Sequence, residues 1–311
     1  MHYNKKWYII SKSKSVKSII KGKQYLMKKN KKKYTICAKM YKYSWLYYII
    51  NGGMVKLKKI MSIILIVTMT SVLLVGCGQK QAKLNSLEAV KKAGKLTVGL
   101  DDSYPPMEFR DSKNKLVGFD VDLGDAVGKK LGVKTEFTST DFNGILLALA
   151  SSKFNVIISA MSITDKRKQS IDFSDSYVMG GQVAAIKQGN TKIKKLADLK
   201  GKVVACQLGS TGDTAATAMK GLKEVKRYDK ITEAFQELSN GRVDAVIMDA
   251  QVGGYYVAKK AGQYNVLTEK ISEEPIGIGF KKEDKELRAA VQKAINELKA
   301  DGTLSKLSQK W

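Results

Sequence analysis

Short apolar runs of strand type alternate with amphipathic runs of helix type through almost all of the chain beyond residue 85. The helical runs include residues 120–131, 231–239, 251–261 and 285–300. A further helical run follows Asp141, whose side chain could cap it. The runs of strand type are residues 96–100, 134–138, 156–160, 183–187, 203–207, 225–228, 245–249, 264–268 and 276–280. Alternation of this kind predicts an α/β fold with mostly parallel sheets, and about 225 residues are enough for two lobes.

Polar residues follow several of the predicted strands. In open α/β sheets, ligands bind beyond the carboxyl ends of the strands. An arginine and the amides of a helix N-terminus suit a carboxylate, and an aspartate suits an ammonium group. The pattern therefore fits a small zwitterion. The polar residues at these strand ends are Asp101, Tyr104, Ser162, Arg167, Ser210, Thr211 and Asp249.

A basic segment and then an apolar segment precede the alternating region and end at Cys77. Residues 56–59 contain three lysines, and residues 60–75 carry no charge. This order is typical of an export signal, and the apolar run is short for a ~30 Å hydrocarbon core. We therefore expect a signal peptide at residues 54–76 and a polar tether at residues 77–85. An uncleaved membrane anchor is the alternative.

The first 53 residues contain 14 lysines and no acidic residue. Because Met54 opens an ordinary signal sequence, we expect residues 1–53 to be a non-native N-terminal extension. A basic arm for nucleic acid is the alternative. Residues 1–76 hold 17 lysines and no acid, so they account for +17 of the net charge of +26. The remaining excess is spread over surface runs, and we expect no nucleic-acid partner.

Histidine and cysteine usage excludes many kinds of chemistry. The single histidine is His2, which lies outside the expected mature protein. That leaves no His-dependent triad there and removes most zinc sites and acid–base schemes. Cys37 and Cys77 also precede the alternating region, so Cys206 is expected to be a small buried hydrophobic residue. We expect no cofactor, no metal and no enzymatic activity.

Several segments in a fixed order resemble one protein family. The most specific is residues 118–123, Gly-Phe-Asp-Val-Asp-Leu, and the others are residues 99–111, 159–177, 201–211, 241–249 and 297–311. Over residues 89–311 the chain resembles the bacterial solute-binding proteins of polar amino acid ABC transporters. The Leu-Val-Gly-Cys sequence at residues 74–77 resembles the lipobox of bacterial lipoproteins, in which the cysteine is diacylated and becomes the N-terminus.

The resemblance implies the two-lobe, type 2 periplasmic-binding-protein fold, an α/β fold with two crossing hinge strands. Lobe 1 would comprise residues 86–180 and 278–311, and lobe 2 residues 183–276. The crossings would lie near residues 177–183 and 275–280. A ligand would be held between the lobes, which close by hinge motion.

The resemblance also implies roles at the main-chain end of an amino acid ligand. Arg167 matches the residue that clamps the α-carboxylate, because its planar fork suits that group. Thr211 matches a residue whose amide assists at a helix start, and Ser210 stands beside it. Ser162 matches a further bond to the main-chain end. Without the resemblance, the charged run around Arg167 would be read as a solvated helix face.

For the ligand ammonium and side chain, the resemblance implies a second group of residues. Asp249 matches the carboxylate that pairs with the α-ammonium, and the carbonyl of Ala160 is a candidate acceptor. Tyr104 and Phe142 match an aromatic pair around the side chain, and Asp101 matches a residue that meets its polar tip. Otherwise, Asp249 would be a turn residue, the two rings would be packing residues and Asp101 would cap its strand.

The expected function is that of a lipid-anchored binding subunit that delivers an amino acid to an ABC permease. The ATPase would be a separate chain, since no Gly-x-x-x-x-Gly-Lys-Ser/Thr sequence occurs. Gln207 stands where some relatives carry lysine, and Asp101 suits a cationic tip, so arginine or lysine is favoured over glutamine or cystine. The alternatives are a lyase or dehydratase on the same fold, a sensory ligand-binding module, and delivery of another solute.

Overall fold

The computed structural model describes residues 85–311, which form two α/β lobes. The expected extension, signal peptide and nearly all of the tether lie outside the described residues. No helix within residues 85–311 has both the length and the hydrophobicity needed to cross a membrane. The described chain also lacks any cluster of three or more potential metal ligands.

Lobe 1 is built on a five-stranded sheet with the strand order β5-β1-β6-β15-β7. Its strands are β1 (Lys95–Leu100), β5 (Lys134–Ser139), β6 (Val156–Ile157), β7 (Ile171–Phe173) and β15 (Gly279–Lys281). A three-stranded sheet joins β2 (Ser103–Tyr104), β3 (Glu108–Arg110) and β4 (Leu116–Val117). The helices of this lobe are α1 (Ser86–Ala93), α2 (Phe119–Leu131), α3 (Ile145–Ala150), α4 (Asp165–Lys168), α8 (Lys285–Ala300) and α9 (Thr303–Lys310).

Alternate side chains of β1 form the centre of this lobe. Leu96, Val98 and Leu100 are fully buried. Between them, Gly99 leaves room for the Phe154 ring, because a Cβ atom at residue 99 would lie 2.2 Å from the Phe154 Cζ atom. Phe154 itself is buried with the core of α3. A continuous apolar strand covered on both faces is what a buried parallel sheet requires.

Lobe 2 is built on a second five-stranded sheet with the order β11-β10-β12-β9-β13. Its strands are β9 (Gln182–Lys187), β10 (Val203–Gln207), β11 (Glu224–Tyr228), β12 (Ala245–Asp249) and β13 (Tyr264–Val266). Its helices are α5 (Thr211–Ala218), α6 (Ile231–Ser239) and α7 (Ala250–Lys259). Cys206 is fully buried in its core, and burial raises the pKa of the thiol to about 12, as expected of a packing residue.

Two antiparallel strands connect the lobes. They are β8 (Val178–Gly180) and β14 (Glu274–Ile276), and Glu274 pairs with Gly180. The prediction of one strand over residues 276–280 was wrong, because the chain leaves the hinge after β14 and enters the lobe 1 sheet as β15. Each crossing strand is followed by a strand that runs antiparallel to its neighbours, namely β9 and β15. In each five-stranded sheet the other four strands run in the same direction, so the prediction of mostly parallel sheets is confirmed.

Two local predictions, a helix cap at Asp141 and a strand over residues 156–160, also need correction. Asp141 makes no capping hydrogen bond through its side chain, and a short 3₁₀ turn at Phe142–Gly144 precedes α3. The predicted strand at residues 156–160 is shorter, since β6 ends at Ile157. The following residues turn sharply, and Ala160 has a φ of 41°, a left-handed conformation that is uncommon for a residue with a Cβ atom.

Candidate binding site between the lobes

Polar residues from the ends of β1, β6, β10 and β12 meet across the cleft. The hydrogen bonds that join the lobes there run from the Tyr104 hydroxyl to the Asp249 carboxylate, from the Asp249 amide to the Tyr104 oxygen, from Gln207 to Asp101, and from Arg167 to the Gly209 carbonyl. A further contact joins the Ser162 and Thr211 hydroxyl oxygens at 3.2 Å. The structure thus brings residues that are far apart in sequence into one set of cross-cleft contacts. In this structure the two lobes lie close together at the cleft.

Asp249 ends β12 and is buried, with 5% of its surface exposed. It stands at the N-cap position of α7, yet its side chain makes no capping bond. The carboxylate is instead turned to the cleft, where it accepts from the Tyr104 hydroxyl at 2.5 Å and from the Gln182 Nε2 atom at 2.8 Å. Burial raises the pKa of Asp249 to about 6, against the effect of the Tyr104 hydrogen bond.

Arg167 lies on α4 and is buried, whereas Lys166 and Lys168 on either side are exposed. Thr164 caps this short helix and accepts from the Arg167 amide at 3.2 Å. The guanidinium donates to the Ser162 carbonyl at 2.9 Å and to the Gly209 carbonyl at 3.4 Å. Burial lowers the pKa of Arg167 from its ordinary value. The charged run therefore contains one inward-facing cation, as the resemblance implied.

The start of α5 presents Thr211 beside this arginine. The Ser210 hydroxyl donates to the Gln207 carbonyl at 2.8 Å and accepts from the Asp213 amide at 3.1 Å, so its side chain is used to shape the turn and cap the helix. The Thr211 hydroxyl oxygen accepts from the Gln182 Nε2 atom at 3.0 Å. Helix N-terminal amides with an adjacent guanidinium can hold a carboxylate.

Asp101 and Gln207 form a second cross-cleft pair, and both are almost fully buried. The Asp101 Oδ1 atom accepts from the Ser103 amide at 3.0 Å and from its hydroxyl at 2.7 Å. The Gln207 Nε2 atom donates to the Asp101 Oδ2 atom and, at 3.0 Å, to the Asp229 carbonyl. Burial raises the pKa of Asp101, and the hydrogen bonds from Ser103 and Gln207 oppose that rise.

The two aromatic residues have different surroundings. Tyr104 is buried and its hydroxyl is bonded to Asp249, while Phe142 is half-buried and its ring centroid lies 5.3 Å from the Arg167 guanidinium carbon. A cavity of about 430 Å³ lies beside Arg167, lined in part by Phe142, Met161 and Thr211. That the two rings sandwich a ligand side chain stays a prediction.

Sequence reasoning missed the residues that shape the Ala160 turn. Asp120 was expected only to begin a helix, and it does lie in the first turn of α2. It is also fully buried, and its Oδ2 atom accepts from the Ala160 amide at 2.6 Å. Burial raises the pKa of Asp120 to about 6. Burial, with the nearby Asp120 charge, raises the pKa of Glu108 well above its ordinary value.

Glu108 connects this turn to Asp101. Its Oε1 atom accepts from the Ser159 hydroxyl at 2.7 Å, and the Ser159 oxygen accepts from the Asp101 amide at 3.0 Å. The sequence signal was available, because Glu108 and Asp120 each have apolar residues on both sides within segments that carry the family resemblance. Their partnership required the fold.

The chain belongs to the bacterial extracellular solute-binding proteins, family 3, whose family model matches residues 96–311. The L-cystine-binding protein TcyJ of Escherichia coli (strain K12) is 36% identical over 226 residues, which are 72% of this chain and 85% of TcyJ. A structure of an ancestral arginine-binding protein bound to arginine has a TM-score of 0.67 and 46% identity, and the match covers 70% of this chain and 98% of that one.

A further solved structure bears on the enzyme alternative. The ancestral amino acid-binding protein AncCDT-1, a precursor of cyclohexadienyl dehydratase, has a TM-score of 0.68 and 41% identity, and the match covers 73% of this chain and 99% of that one. The two-lobe α/β fold and the family predicted from the sequence are thus confirmed.

Proposed function

We propose that this protein captures an α-amino acid with a cationic side chain, arginine or lysine, between its two lobes and delivers it to an ABC permease. The observation that carries this proposal is the pairing of two buried groups of opposite charge, Arg167 from lobe 1 and Asp249 from lobe 2, in one cleft. An amino acid zwitterion complements both groups at once. Membership of a family of extracellular solute-binding proteins supports capture for transport.

The main-chain end of the ligand would be held by both lobes. Arg167 and the first amides of α5 would take the α-carboxylate, with Ser162, Ser210 and Thr211 around it. Asp249, assisted by the Ala160 carbonyl, would take the α-ammonium. Because these groups come from different lobes, the ligand would stabilise the closed arrangement by replacing cross-cleft hydrogen bonds that have one charged partner with bonds in which both partners are charged.

Asp101 is the group that would select the ligand side chain. Its Oδ1 atom is occupied by Ser103, while its Oδ2 atom accepts only from Gln207 across the cleft. A guanidinium or ammonium tip could take the place of that amide and add an ion pair, with Tyr104 and Phe142 against its aliphatic stem. Glutamine and cystine are the nearest competitors: TcyJ binds L-cystine, and an ancestral arginine-binding protein has been solved with glutamine.

Titration calorimetry with arginine, lysine, glutamine and cystine would test this selection on the wild type and on Asp101→Asn. We expect Asp101→Asn to weaken arginine and lysine binding about tenfold while changing glutamine binding less, since a charge-assisted bond contributes roughly 1.5–3 kcal/mol.

Asp102→Asn is the matched control for that experiment. Asp102 adjoins Asp101 but is paired with Arg110 at 2.7 Å on the outside of the lobe, so the ranking of ligands should not change. A wild type that prefers an apolar or acidic amino acid, or a ranking untouched by Asp101→Asn, would exclude the proposed side-chain site.

We also propose that lipid on Cys77 attaches the protein to the extracytoplasmic face of the cell membrane. Cys77 lies outside the described residues, and its sequence context supports the proposal. Mass spectrometry of the native protein should find an N-terminus at acylated Cys77, and Cys77→Ala should leave an unprocessed precursor without lipid. Cys206→Ala should be processed normally. Native protein that begins before Met54 with an unmodified Cys77 would contradict this.

We propose that the protein does no chemistry on its ligand. TcyJ and the two solved neighbours described above carry names of binding proteins, and AncCDT-1 is itself described as amino acid-binding. The acids in the cleft have assigned hydrogen-bonding roles, and a lyase would need one of them as a general base. Incubation with the tightest-binding amino acid should return it unchanged, and a product that appears only with active protein would favour the lyase alternative.

A further inference from the structure

Gln182 occupies a position that joins the hinge to the binding site. It is the first residue of β9, directly after the β8 crossing and Gly181, and only 1% of its surface is exposed. In the lobe 2 sheet it lies opposite Asp249 on the neighbouring strand β12. Its backbone amide donates to the Ser272 hydroxyl at 3.1 Å, and its carbonyl accepts from the Ile271 amide at 2.7 Å. The backbone of Gln182 is therefore held on both sides.

The side chain amide of Gln182 bridges two groups of the proposed site. Its Nε2 atom donates to the Asp249 Oδ1 atom at 2.8 Å and to the Thr211 hydroxyl oxygen at 3.0 Å. These two bonds use both N–H groups of the amide. The orientation follows from chemistry, because a carboxylate accepts from an N–H donor and repels an amide oxygen.

The oxygen of the same amide faces the first turn of α5. It is buried without a hydrogen-bond partner, and a Cβ atom added at Gly212 would lie 2.9 Å from it. An unpaired buried carbonyl costs free energy, so the two bonds from Nε2 must outweigh that loss. If residue 182 served only to fill space, an apolar side chain of similar size would do so without burying an unpaired oxygen. The amide of Gln182 is therefore best explained by the two hydrogen bonds that its Nε2 atom donates.

We propose that Gln182 is a positioning residue for ligand capture, which holds the Asp249 carboxylate and the Thr211 hydroxyl in their binding geometry before the lobes close. The proposal rests on the proposed function, which assigns Asp249 to the ligand ammonium. The Asp249 carboxylate accepts hydrogen bonds from two side chains, and these two bonds behave differently when the lobes separate. The Tyr104 hydroxyl belongs to lobe 1, so its bond exists only while the lobes are together, whereas Gln182 shares a sheet with Asp249 and stays beside it when they part.

Gln182 would act on both charged ends of the ligand. Through Asp249 it fixes the acceptor of the ammonium and favours its ionised form, because an N–H donor stabilises a carboxylate. Through Thr211 it fixes the start of α5, where the carboxylate of the ligand is expected. A site that is ordered before binding loses less free energy when the ligand arrives. Removing the amide should therefore weaken binding of every amino acid, whatever its side chain.

Gln182→Met tests this inference, because it removes both donors with little change in volume. Calorimetry with L-arginine on the full chain as it is processed should show an affinity about tenfold lower than that of the wild type. The pH profile gives the more specific signal. The ligand main-chain groups do not titrate between about pH 4 and 8, so a loss of affinity on acidification reports protein carboxyl groups.

Loss of the Gln182 donor should move that decline to higher pH. In the wild type, Asp249 faces Gln182 and Tyr104, with Arg167 and Glu274 as the nearest charges. The Gln182 bond opposes the rise in the pKa of Asp249 that burial causes, so the variant should lose arginine affinity at a pH at which the wild type still binds. Gln182→Glu keeps the shape of the side chain but adds a second acid, and it should move the decline further still.

Gln251→Met is the matched control. Gln251 is another lobe 2 glutamine near the hinge; it donates to the Met179 carbonyl at 2.9 Å and has an unpaired amide oxygen, but it has no bond to Asp249. Its pH profile should match that of the wild type. Unchanged affinity in both Gln182 variants, or weaker binding with no movement of the pH profile, would overturn the positioning role.

A parallel measurement on Asp249→Asn separates this inference from the proposed function. If Asp249→Asn loses arginine binding while both Gln182 variants keep it, only the positioning role fails. If Asp249→Asn itself binds arginine as the wild type does, the ammonium site is wrong and the role of Gln182 falls with it. Thermal unfolding of each variant checks that the comparison is made on folded protein.

Discussion

Asp101 and Asp249 are two buried aspartates, one from each lobe, that differ in how they are held. Each accepts a hydrogen bond from the opposite lobe, Asp101 from Gln207 and Asp249 from Tyr104. Within its own lobe, Asp101 is held by its neighbour in sequence, Ser103, through one oxygen only. Asp249 is held by Gln182 on the adjacent strand.

This difference matches the two proposed roles, in which Asp249 binds the main-chain end of any amino acid and Asp101 selects among side chains. Asp249 is fixed by the lobe 2 sheet and lies in the same cleft as Arg167. A fixed carboxylate suits the α-ammonium group, which all amino acid ligands share. Asp101 leaves one oxygen to whatever crosses the cleft, which suits a group that distinguishes side chains. Burial raises the pKa of both acids, so both hold their charge at the expense of stability.

The largest effect is expected from Asp249→Asn. The asparagine can still accept from Gln182 and can donate to the Tyr104 oxygen, so the fold should be kept while the proposed partner of the ligand ammonium is lost. We expect affinity for all amino acids to fall about a hundredfold, at the upper end of what a charge-assisted bond contributes. Calorimetry against Asp172→Asn, an aspartate paired with Lys282 on the surface, checks this. If only cationic ligands lost affinity, Asp249 would be the residue that selects side chains, which is the role proposed here for Asp101.

Arg167→Met should have the next largest effect, about tenfold to a hundredfold on every amino acid. The substitution removes the buried guanidinium that donates to the Ser162 and Gly209 carbonyls and would clamp the ligand carboxylate. Lys168→Met, one residue away on the same helix and exposed, is the control and should bind as the wild type does. Equal affinities for the two variants in the same titration would place the carboxylate site elsewhere.

The smallest effect concerns the stability of the ligand-free protein. A carboxyl whose pKa is raised by folding binds its proton more tightly in the folded state, so stability falls as pH rises from the unfolded value, 3.8 for Asp249, to the folded value of about 6. Asp249→Asn removes this loss and should stabilise the protein at neutral pH by about 3 kcal/mol, or roughly 9 °C in Tm.

Asp101→Asn should stabilise less, because the rise in the pKa of Asp101, which the bonds from Ser103 and Gln207 oppose, is the smaller of the two. Thermal unfolding of both variants at pH 4 and pH 7 makes the comparison. The difference between Asp249→Asn and the wild type should be small at the lower pH. A destabilised Asp249→Asn at neutral pH would show that its charge is compensated within the folded protein.

Most helices and the core strands could be predicted from local pattern, whereas the hinge could not. The helices at residues 231–239 and 285–300 were predicted at their observed bounds, because the amphipathic period is a property of the segment alone. The run at 276–280 is apolar throughout, and only its pairing partners show that β14 belongs to the hinge and β15 to lobe 1. Pairing is decided by distant strands, so local pattern could not reveal it.

The family, the α/β alternation and the residue types at the strand ends could all be predicted from the amino-acid sequence. These follow from short segments whose hydrophobic period and polar punctuation are local. Three contacts depend on the assembled fold: Tyr104 meets Asp249, 145 residues away, Asp120 holds the Ala160 amide, and Gln182 bridges Asp249 and Thr211. A buried polar group must find its partner among whatever residues the fold brings near it, and that neighbourhood arises when the two sheets and the hinge assemble.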